Sequence, residues 1–311
     1  MSTKPVVVLN PRSAGGKTGR VESDLVAAIE RALGPVDLVR TEERAHAVTL
    51  AHRAADEGRA LVVAVGGDGT ISEVAAGILR SSKPDTALGI VGQGTGGDFR
   101  KSVGLEHRLD RYLDAIARGT SRKVDVGRAT FVSDGRPAER TFVNVLSAGM
   151  GGLVDKFVAG SSGRFGGKAT YLAASVKALV ASTRTKVVCT SEGEGGTETR
   201  ELWTYMLAIC NGSFFGAGMH IAPRASIDDG FFDVVSMDAP SKIAFVRHSQ
   251  TIYEGKHLSN PDVTHFRARK ITVTNAPVPN AEPLLLDVDG EPLGSLPLTV
   301  ELLPRALTLR V

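Results

Sequence analysis

One segment of the chain has the residue types and spacing of a phosphate-binding loop. Gly66-Gly67-Asp68-Gly69-Thr70 follows the apolar run Leu61 to Val65 and precedes a helical pattern. In a strand, glycine turn and helix, backbone N–H groups and the positive end of the helix dipole point at the turn. Glycine lets a phosphate approach the backbone, and Thr70 can cap the helix or donate to a phosphate oxygen. The segment predicts a nucleotide site; a tight capped turn is the alternative.

A second glycine loop, Gly92-Gln93-Gly94-Thr95-Gly96-Gly97-Asp98, follows the next apolar run. Alone it is a weak imitation of a dinucleotide-binding fingerprint, and a flexible connection would explain it equally well. Loops that follow neighbouring parallel strands face the same crevice. Together with the first loop, it predicts the opposite wall of one nucleotide site.

The opening strand ends in Asn10-Pro11-Arg12-Ser13-Ala14-Gly15-Gly16-Lys17-Thr18, which superficially suggests a Walker phosphate loop. That interpretation fails because the pattern requires glycine five residues before Gly16, where this chain has Pro11. A polar loop remains, in which Arg12, Ser13 and Lys17 are suited to phosphate contact. A solvated loop is the alternative interpretation.

The elements that would position these loops alternate between strand and helix. Short apolar runs predict strands at Pro5 to Leu9, Val36 to Val39, Leu61 to Val65 and Leu88 to Val91. Between them, helical patterns cover about 21–33, about 45–57 and the stripe Ile71, Val74, Ala75, Ile78 and Leu79. This order predicts an α/β domain with a parallel sheet and helices on both faces, over residues 1–127.

After Gly127 the pattern changes to longer strands, which predict a mostly β sandwich over 128–303. The predicted strands are Arg128 to Val132, Thr141 to Leu146, Lys186 to Thr190, Trp203 to Asn211, Phe231 to Met237, Ile271 to Thr274, Leu284 to Val288 and Leu298 to Leu303. Helices are expected at 169–182 and 242–253, and Gly193 to Gly196 resembles a hairpin tip. The final segment, 304–311, contains a strand at Ala306 to Val311 that could return to the first domain.

The composition and net charge limit the classes of partner that this chain is expected to bind. The 311 residues carry a formal net charge of +3, without a basic run or stripe, which argues against nucleic-acid binding but permits weak attraction to an anionic membrane. Cys189 and Cys210 lie in apolar runs and are expected to be reduced core residues. Without a signal-peptide pattern or an apolar stretch long enough to span a bilayer, we expect a cytoplasmic protein with no transmembrane segment.

The sequence resembles the diacylglycerol kinase catalytic family, and is close to its bacterial soluble lipid kinases. The matching motifs stand in the family's order: Asn10-Pro11-x-Ser13-x-Gly15, Gly66-Gly67-Asp68-Gly69-Thr70, Gly94-Thr95-Gly96-x-Asp98, Asn211-Gly212-x-x-x-Gly216-x-Gly218-Met219, Ala222-Pro223-x-Ala225-x-x-Asp228-Asp229-Gly230-x-x-Asp233 and Asp289-Gly290-Glu291. NAD kinases and phosphofructokinases resemble the Gly66 loop too. The downstream segments separate this chain from them.

The resemblance implies an NAD-kinase-like α/β nucleotide domain followed by a β sandwich, with the active site in the cleft between them. It implies ATP contacts from a set of residues in the first domain: Asn10, Pro11, Arg12, Ser13, Ala14, Thr41, Gly66, Gly67, Asp68, Gly69, Thr70, Ile71, Ser72 and Thr95. Thr41 follows the second predicted strand, where the family has a threonine.

The resemblance assigns the catalytic base to Glu291, with Asp289 sharing or orienting it, because the attacking hydroxyl must lose a proton. A hairpin turn is the other interpretation of Asp289-Gly290-Glu291, and the two can coexist. The resemblance also implies a Mg²⁺ ion bound by Ser226, Asp229 and Phe231. Asp229 would bind it through its carboxylate, and Ser226 and Phe231 through backbone oxygens. The second option is a metal and water network on Asp68, Asp98 and Asp125. Simple turn residues are the alternative interpretation of Asp228 and Asp229.

The match to the family breaks in the second glycine loop. The family usually has Asn at Gly97 and commonly Pro at Gln93. Loss of the amide removes one donor and one acceptor from the crevice, which could loosen ATP binding, alter the phosphate donor or reduce activity. Glycine keeps the backbone freedom of the loop, so an active enzyme is still expected.

The function expected from these features is Mg²⁺-dependent transfer of the γ-phosphate of ATP to a hydroxyl of a diacylglycerol-like lipid. Its partner would be a lipid substrate at a membrane surface, reached from the cytoplasm by peripheral attachment, and a homodimer is one option for its assembly. An NAD-kinase-like activity on a soluble substrate is the second hypothesis. A nucleotide-binding protein with reduced catalysis is the third.

Overall fold

The structure is a computed structural model that describes residues 4–83, 85–94, 96–150, 153–154, 157, 177–178, 181–277, 284–289 and 291–311. The chain divides into two compact units. The first contains Met1–Val126 and Pro304–Val311, and the second contains Gly127–Leu303.

The first unit is built on a parallel sheet. Its strands are β1 (Val6–Leu9), β2 (Asp37–Arg40), β3 (Leu61–Gly66), β4 (Ala87–Gly92) and the last residues of the long final strand β15 (Glu291–Arg310). Neighbours run in the order β2, β1, β3, β4, β15, and every pair is parallel, including Thr308 opposite Ala87. The helices are α1 (Ser13–Arg20), α2 (Glu22–Leu33), α3 (His46–Asp56), α4 (Asp68–Arg80), α5 (Asp98–Ser102) and α6 (Leu109–Arg118).

Continuous apolar runs form the central strands because both faces of a parallel sheet are covered. All side chains of β1 and β4 are buried, as are those of β3 after Leu61. The predicted apolar stripe of α4 is also buried at Ile71, Val74 and Ile78. The sequence pattern did not predict α5 and α6, whose amphipathic stretches are short.

The segment α1 begins with a left-handed turn. Ala14, Gly15 and Gly16 have φ values of 52°, 67° and 83°, and regular helix follows only after them. Glycine takes this conformation without steric cost, whereas Ala14 does so at some expense. The turn brings the Ser13 hydroxyl to 2.5 Å from the Thr18 hydroxyl, and Thr18 is fully buried. The loop after β1 is therefore folded back on itself.

The second unit consists mainly of antiparallel strands. They are β5 (Ser121–Ser133, which begins in the first unit), β6 (Arg136–Phe142), β7 (Val145–Gly149), β8 (Thr185–Gly193), β9 (Gly196–Thr204), β10 (Met206–Cys210), β11 (Phe232–Met237), β12 (Val263–Ala268), β13 (Lys270–Asn275), β14 (Leu285–Val288) and most of β15. One helix, α7 (Lys242–Gln250), and a 3₁₀ turn, His257–Ser259, interrupt them.

Two layers of these strands enclose one core. The path β12, β11, β10, β7, β14 forms one layer, and β9, β8, β13 form the other, with β15 pairing into both. Alternate side chains from the two layers, such as Ile209 and Val273, belong to the same buried cluster. The predicted fold class, an α/β nucleotide-type domain followed by a mostly β sandwich, is confirmed.

Two strands predicted as continuous are interrupted. The stretch 141–146 breaks at Val143-Asn144, and the stretch 203–211 breaks at Tyr205. At the second break the Thr204 hydroxyl accepts the Met206 N–H at 3.1 Å and donates to the Met206 carbonyl at 2.7 Å. A side chain thereby takes over backbone groups that a neighbouring strand would otherwise bind, which a hydrophobicity pattern cannot reveal.

The structure also bears on the predicted hairpin tip, the two cysteines and several shorter elements. Gly193 pairs with Gly196 at the end of the β8–β9 hairpin, as predicted, and both cysteines are buried and free. The short strand predicted at 298–303 is part of the 20-residue β15, and β12 was not predicted. Most of the helix predicted at 169–182 lies outside the described residues. Within the described ranges, no helix is both long and apolar enough to cross a bilayer.

The packing of α3 against α4 depends on a missing side chain at Gly77. A Cβ added there would lie 2.3 Å from the Val48 carbonyl oxygen and 2.7 Å from the Ala51 Cβ. We expect Gly77→Ala to lower the free energy of unfolding by about 1–3 kcal/mol, because overpacking outweighs the better helix propensity of alanine. Urea unfolding of the full chain measures it. Thr49→Ala, at an exposed position of α3, should be neutral, and equal stability of both variants would contradict the prediction.

Candidate phosphate-binding and catalytic sites

Three loops of the first unit meet at the carboxyl ends of β1, β3 and β4. The Asn10 side-chain amide donates to the Thr70 hydroxyl at 3.0 Å, which joins the first loop to the second. The Gln93 N–H donates to the Gly66 carbonyl at 2.7 Å, which joins the second to the third. A Cβ on Gly94 would lie 2.7 Å from the Gly67 Cα, so the two glycine loops touch backbone to backbone. The loops predicted to share one crevice do lie together.

The N-terminus of α4 opens into this group of loops. Gly67 is extended at the cap position, and the first N–H within the helix to bond back is that of Ile71, which donates to the Gly67 carbonyl at 3.1 Å. The preceding N–H groups, at Asp68, Gly69 and Thr70, belong to the turn where helices leave donors without intrahelical partners. Directed N–H groups and the helix dipole make this turn suited to a phosphate.

Asp68 organises the loop after β4 rather than projecting from the helix. Its carboxylate accepts the N–H of Asp98 at 3.2 Å and that of Phe99 at 3.1 Å. Burial raises the pKa of Asp68, the nearby Asp98 charge raises it further, and the backbone donors oppose both effects. Asp98 itself is ion-paired with Lys101 at 3.0 Å.

The other residues predicted to contact ATP differ in their hydrogen bonds and in their exposure. The Asn10 side-chain oxygen accepts the Arg12 N–H at 3.0 Å, the Ser13 hydroxyl donates to the Asn10 carbonyl, and the Thr41 N–H donates to the Leu9 carbonyl. These bonds fix Pro11 and its neighbours at the end of β1, next to β2, with Arg12 exposed and Ala14 in the left-handed turn. Ile71 and Ser72 are buried, so their side chains belong to the packing of α4. Thr95 lies outside the described residues.

In the second unit, Asp289 stabilises a strand break. Its carboxylate accepts the N–H of Val143 at 3.4 Å, within the gap between β6 and β7, and that of Val145 at 3.0 Å, where β7 begins. Asp289 has φ of 48°, and Val288 pairs with Glu291, so this segment also forms the turn between β14 and β15. The hairpin interpretation of these residues is therefore confirmed.

Glu291 begins β15 and pairs with Arg140. The Arg140 guanidinium donates to its carboxylate at 2.7 Å, and each side chain is about a quarter exposed (25% and 26%). A partly exposed carboxylate held by one guanidinium is accessible to a substrate hydroxyl and fixed in direction. The sequence analysis did not predict that Arg140 pairs with Glu291, and no local motif marks it.

Asn144 and Asn211 were also missed as structural parts of this region. Asn211 donates from its side-chain amide to the Val143 carbonyl at 2.8 Å, and Asn144 does the same to the Phe214 carbonyl. The N–H groups of Asn211 and Gly212 both donate to the Asn144 carbonyl at 2.9 Å. The Asn211-Gly212 motif was noted in the sequence, but its role in holding the β6–β7 break was not.

Two family models match complementary parts of the chain. The diacylglycerol kinase catalytic domain matches residues 4–129, and the YegS C-terminal NAD kinase beta sandwich-like domain matches residues 144–311. The chain belongs to the diacylglycerol kinase family. It is accordingly a phosphotransferase of the kinase class.

Relatives in the diacylglycerol kinase family match almost the whole chain. A protein named diacylglycerol kinase from Staphylococcus carnosus (strain TM300) is 26% identical and covers 96% of this chain and 91% of its own. One of the same name from Staphylococcus aureus (strain bovine RF122 / ET3-1) is 28% identical, with 96% and 89% covered.

Solved structures show the same fold. A diacylglycerol kinase from Bacillus anthracis strain Sterne has a TM-score of 0.72 and 21% identity, with 99% of this chain and 96% of that chain covered. A yeast NADH kinase complexed with NADH has a TM-score of 0.52 and 10% identity, with 99% and 83% covered. At these identities both likenesses concern the fold alone.

The metal site expected in this family from Ser226, Asp229 and Phe231 is already satisfied by protein groups. Asp229 accepts the Phe231 N–H at 3.1 Å and is ion-paired with the Arg267 guanidinium. The Ser226 hydroxyl donates to Asp228 at 2.9 Å. The oxygen donors suit Mg²⁺ in type, but a cation there would have to displace Arg267 from the one charged ligand. The structure therefore pairs the Asp229 carboxylate with protein donors, and metal binding by this set stays a prediction.

The second predicted metal set does not converge. Asp68 and Asp98 are neighbours, but Asp125 is fully buried in β5 and accepts the Arg305 N–H at 2.7 Å. Across the described ranges, no three His, Cys, Asp or Glu side chains come together in a group that could hold a metal ion. Asp125 therefore bonds to the backbone near the end of β15, and a metal and water network on the three aspartates stays a prediction.

Gly97, where the family usually has Asn, is packed against an arginine. Its φ is 58°, a left-handed conformation that asparagine also tolerates. A Cβ at this position would lie 2.9 Å from the Arg100 Nε and 3.4 Å from its Nη2. The Arg100 Nη1 donates to the Leu105 carbonyl at 2.5 Å, which holds the guanidinium in place. In this chain, glycine at 97 therefore provides the room that Arg100 occupies.

Because Arg100 occupies this space, we expect asparagine at position 97, the usual residue of the family, to fit only when Arg100 is also replaced. We expect Gly97→Asn to lower the free energy of unfolding by about 1–3 kcal/mol through the clash with Arg100. In combination with Arg100→Ala the cost should fall short of the sum of the single changes, with a coupling of about 0.5–3 kcal/mol. Urea unfolding of the four proteins gives the double-mutant cycle.

Gly104→Asn is the matched control for this cycle. Gly104 has φ of 77° with nothing within 4 Å of an added Cβ, so its substitution reports the backbone cost alone. Additive effects of Gly97→Asn and Arg100→Ala, or a cost at Gly104 equal to that at Gly97, would contradict the packing argument.

Proposed function

We propose that this chain is a lipid kinase that transfers the γ-phosphate of ATP to a hydroxyl of a diacylglycerol-like lipid, with Mg²⁺, as a peripheral protein at the cytoplasmic membrane surface. The observation that carries the proposal is the backbone contact of the Gly67 and Gly94 loops at the N-terminus of α4. Membership of the diacylglycerol kinase family, whose relatives bear that activity in their names, supports the lipid acceptor.

ATP is proposed to bind with its phosphates at the α4 turn. The N–H groups of Asp68, Gly69 and Thr70 would hold phosphate oxygens, and the exposed Arg12 and Lys17 on the neighbouring loop would neutralise charge. Asn10 keeps the Thr70 hydroxyl oriented. Phosphoryl transfer depends mainly on positioning and charge neutralisation, which these groups can supply.

Glu291 is proposed to take the proton of the acceptor hydroxyl. The ion pair with Arg140 fixes the direction of the carboxylate, and Asp289 positions the turn beside it through the bonds to Val143 and Val145. Asp289 thereby has a positioning role in this proposal, since both of its carboxylate oxygens already accept backbone N–H groups.

Magnesium is proposed to arrive as its complex with ATP. Mg²⁺ in kinases is bound largely by substrate phosphates and water, with one or two carboxylates. When bound, it would neutralise charge on the transferring phosphoryl group. This mode does not require the Asp229 set, where Arg267 already supplies a positive charge.

The decisive experiment identifies the acceptor. The purified chain is incubated with labelled ATP, Mg²⁺ and either a mixed lipid extract or a panel of soluble hydroxylated compounds that includes NAD, and the labelled product is identified by mass. We expect a phosphorylated diacylglycerol-like lipid. Labelling of soluble compounds alone would support the NAD-kinase-like alternative, and ATP binding without any transfer would support a nucleotide-binding protein.

Replacement of the proposed base should abolish turnover without unfolding the protein. We expect Glu291→Gln to lower kcat about 100-fold or more, the usual contribution of a general base. Glu301→Gln is the matched control, because Glu301 lies on the same strand and is ion-paired with Arg128 at 2.8 Å. Steady-state assays of both variants, with urea unfolding as a check, test the assignment, and equal activity of the two variants would contradict it.

Separation of the glycine loops should weaken ATP binding. We expect Gly94→Ala, whose Cβ would meet the Gly67 Cα, to raise the Kd for ATP at least about tenfold, or ~1.4 kcal/mol. Titration calorimetry measures the change. Gly195→Ala serves as the control, since its added Cβ would have 4.0 Å of clearance from the nearest heavy atom, in the β8–β9 turn. Unchanged ATP affinity in Gly94→Ala would remove the proposed phosphate site.

A further inference from the structure

The face of α7 that points away from the core carries large apolar side chains. Ile243 is 77% exposed, Val246 41% and Tyr253, just after the helix, 57%. Among the described residues, only Val21, Leu109 and Trp203 are other large apolar side chains with such exposure. Single exposed apolar residues are ordinary, but three within one short segment form a patch that calls for a partner.

The three side chains share one side of the segment. Ile243 and Val246 are neighbours at i and i+3, whereas Phe245 and Ile252 on the opposite side are buried. The Phe245 ring lies 5.2 Å from the Tyr205 ring, which fixes the inward side of the helix. Backbone bonds from Thr251 to His248 and from Ile252 to Ser249 continue helix-like turns past the end of α7, so Tyr253 follows the outward side.

The charges around this face are basic. The nine residues of α7 include Lys242, Arg247 and His248 and no acidic residue. The next carboxylate along the chain, Glu254, is neutralised by Lys256 at 2.6 Å. Asp238, before the helix, is bonded to Arg184. His248 lies 3.8 Å from the Asp262 carboxylate. With His248 neutral, the four cations Lys242, Arg247, Arg184 and Lys256 exceed the three carboxylates Asp238, Glu254 and Asp262 by one, so the face combines exposed apolar groups with a small net positive charge.

An exposed tryptophan is linked through Arg184 to Asp238, in the segment that precedes α7. Trp203 is 42% exposed, and the Arg184 guanidinium lies 4.8 Å from its ring centroid while also bonding to Asp238. The adjoining Thr204 hydroxyl oxygen lies 3.2 Å from the Met237 carbonyl oxygen, at the end of the strand that leads to α7. We call Trp203, Ile243, Val246, Arg247 and Tyr253 the docking face.

We propose that the docking face binds the surface of an anionic lipid bilayer. Aliphatic side chains gain free energy on entering the boundary of the acyl chains, and Tyr and Trp favour that depth because they are amphipathic. Arginine and lysine are attracted to anionic headgroups. Charge complementarity selects such a membrane over a second copy of this chain, whose docking face would carry the same positive charge. The inference rests on the proposed function, which places the acceptor lipid in a membrane.

Vesicle co-sedimentation of the full chain tests this surface directly. One vesicle contains equal parts of phosphatidylglycerol and phosphatidylcholine, and the other contains phosphatidylcholine alone. We expect binding to the first, weakened by high salt, and little binding to the second. Equal binding to both vesicles, or to neither, would overturn the proposal.

Matched variants assign the binding to the docking face. Ile243→Ser should weaken partition into anionic vesicles about tenfold, the value of burying a large aliphatic side chain. Val246→Ser should act in the same direction, whereas Val21→Ser, with the same residue type and the same 41% exposure in the first unit, should have no effect. Binding by Ile243→Ser and Val246→Ser at the wild-type level would overturn the assignment.

Charge reversal supplies an independent comparison. Arg247→Glu should reduce partition about fivefold or more, because each basic residue near an anionic surface contributes about 1 kcal/mol. Arg31→Glu is its counterpart, since Arg31 is also an exposed arginine in the last turn of a helix. Equal effects at the two positions would indicate a general charge effect and overturn the role of this face.

Failure of the docking face and failure of the kinase proposal give different results. If the kinase proposal holds, Ile243→Ser should lose activity on lipid in anionic vesicles but keep it on a short-chain diacylglycerol dispersed as monomers. Vesicle binding that depends on Ile243 in a chain with no lipid kinase activity would support the docking face alone. A concentration-dependent dimer that Ile243→Ser abolishes, without vesicle binding, would assign the face to a second copy and overturn the lipid proposal.

Discussion

The backbone contact between the Gly67 and Gly94 loops is the constraint on which the candidate phosphate site depends. An added Cβ on Gly94 would lie only 2.7 Å from the Gly67 Cα, so no side chain can stand between them. Parallel pairing of β3 with β4 brings the two loops to the same edge, and Asn10 adds the loop after β1 through Thr70. The helix α4 begins within this group of loops, which directs its N-terminal donors there. The buried strands and the packing of α3 on α4 hold that geometry.

In the second unit, strands are interrupted, and side chains bind the backbone groups that lose their strand partners at the break. Asp289 accepts the N–H of Val143 within the β6–β7 gap and that of Val145 at the start of β7, and the Asn211 amide binds the Val143 carbonyl. These bonds place the start of β15, and with it Glu291, at a defined position. Buried backbone groups that lose strand partners cost free energy unless side chains replace those partners. The turn that contains Asp289 therefore stabilises the β6–β7 break and also positions Glu291, the proposed base.

Arginine recurs beside the groups that the family resemblance marks as functional. Arg140 holds Glu291, Arg267 holds Asp229, and Arg100 fills the space beside Gly97. Arg267 and Arg269 each lie 4.4 Å from the centroid of the Phe231 ring, so the turn at Asp229 is stabilised by cations belonging to the chain. A guanidinium offers fixed charge and several donors, which suits it to replace a bound cation or an amide.

The sequence by itself determined the two fold classes, the central strands and the three loops of the candidate phosphate site. Those features rest on local patterns, namely apolar runs, helical periodicity and glycine turns, which act over a few residues. The tertiary structure alone decided the breaks at Val143-Asn144 and Tyr205, the pairing of Glu291 with Arg140, and the bond from the Arg305 N–H to Asp125. Each of these depends on groups distant in sequence, such as Asp289 and Arg305, and no local pattern encodes which distant partner a polar side chain will find.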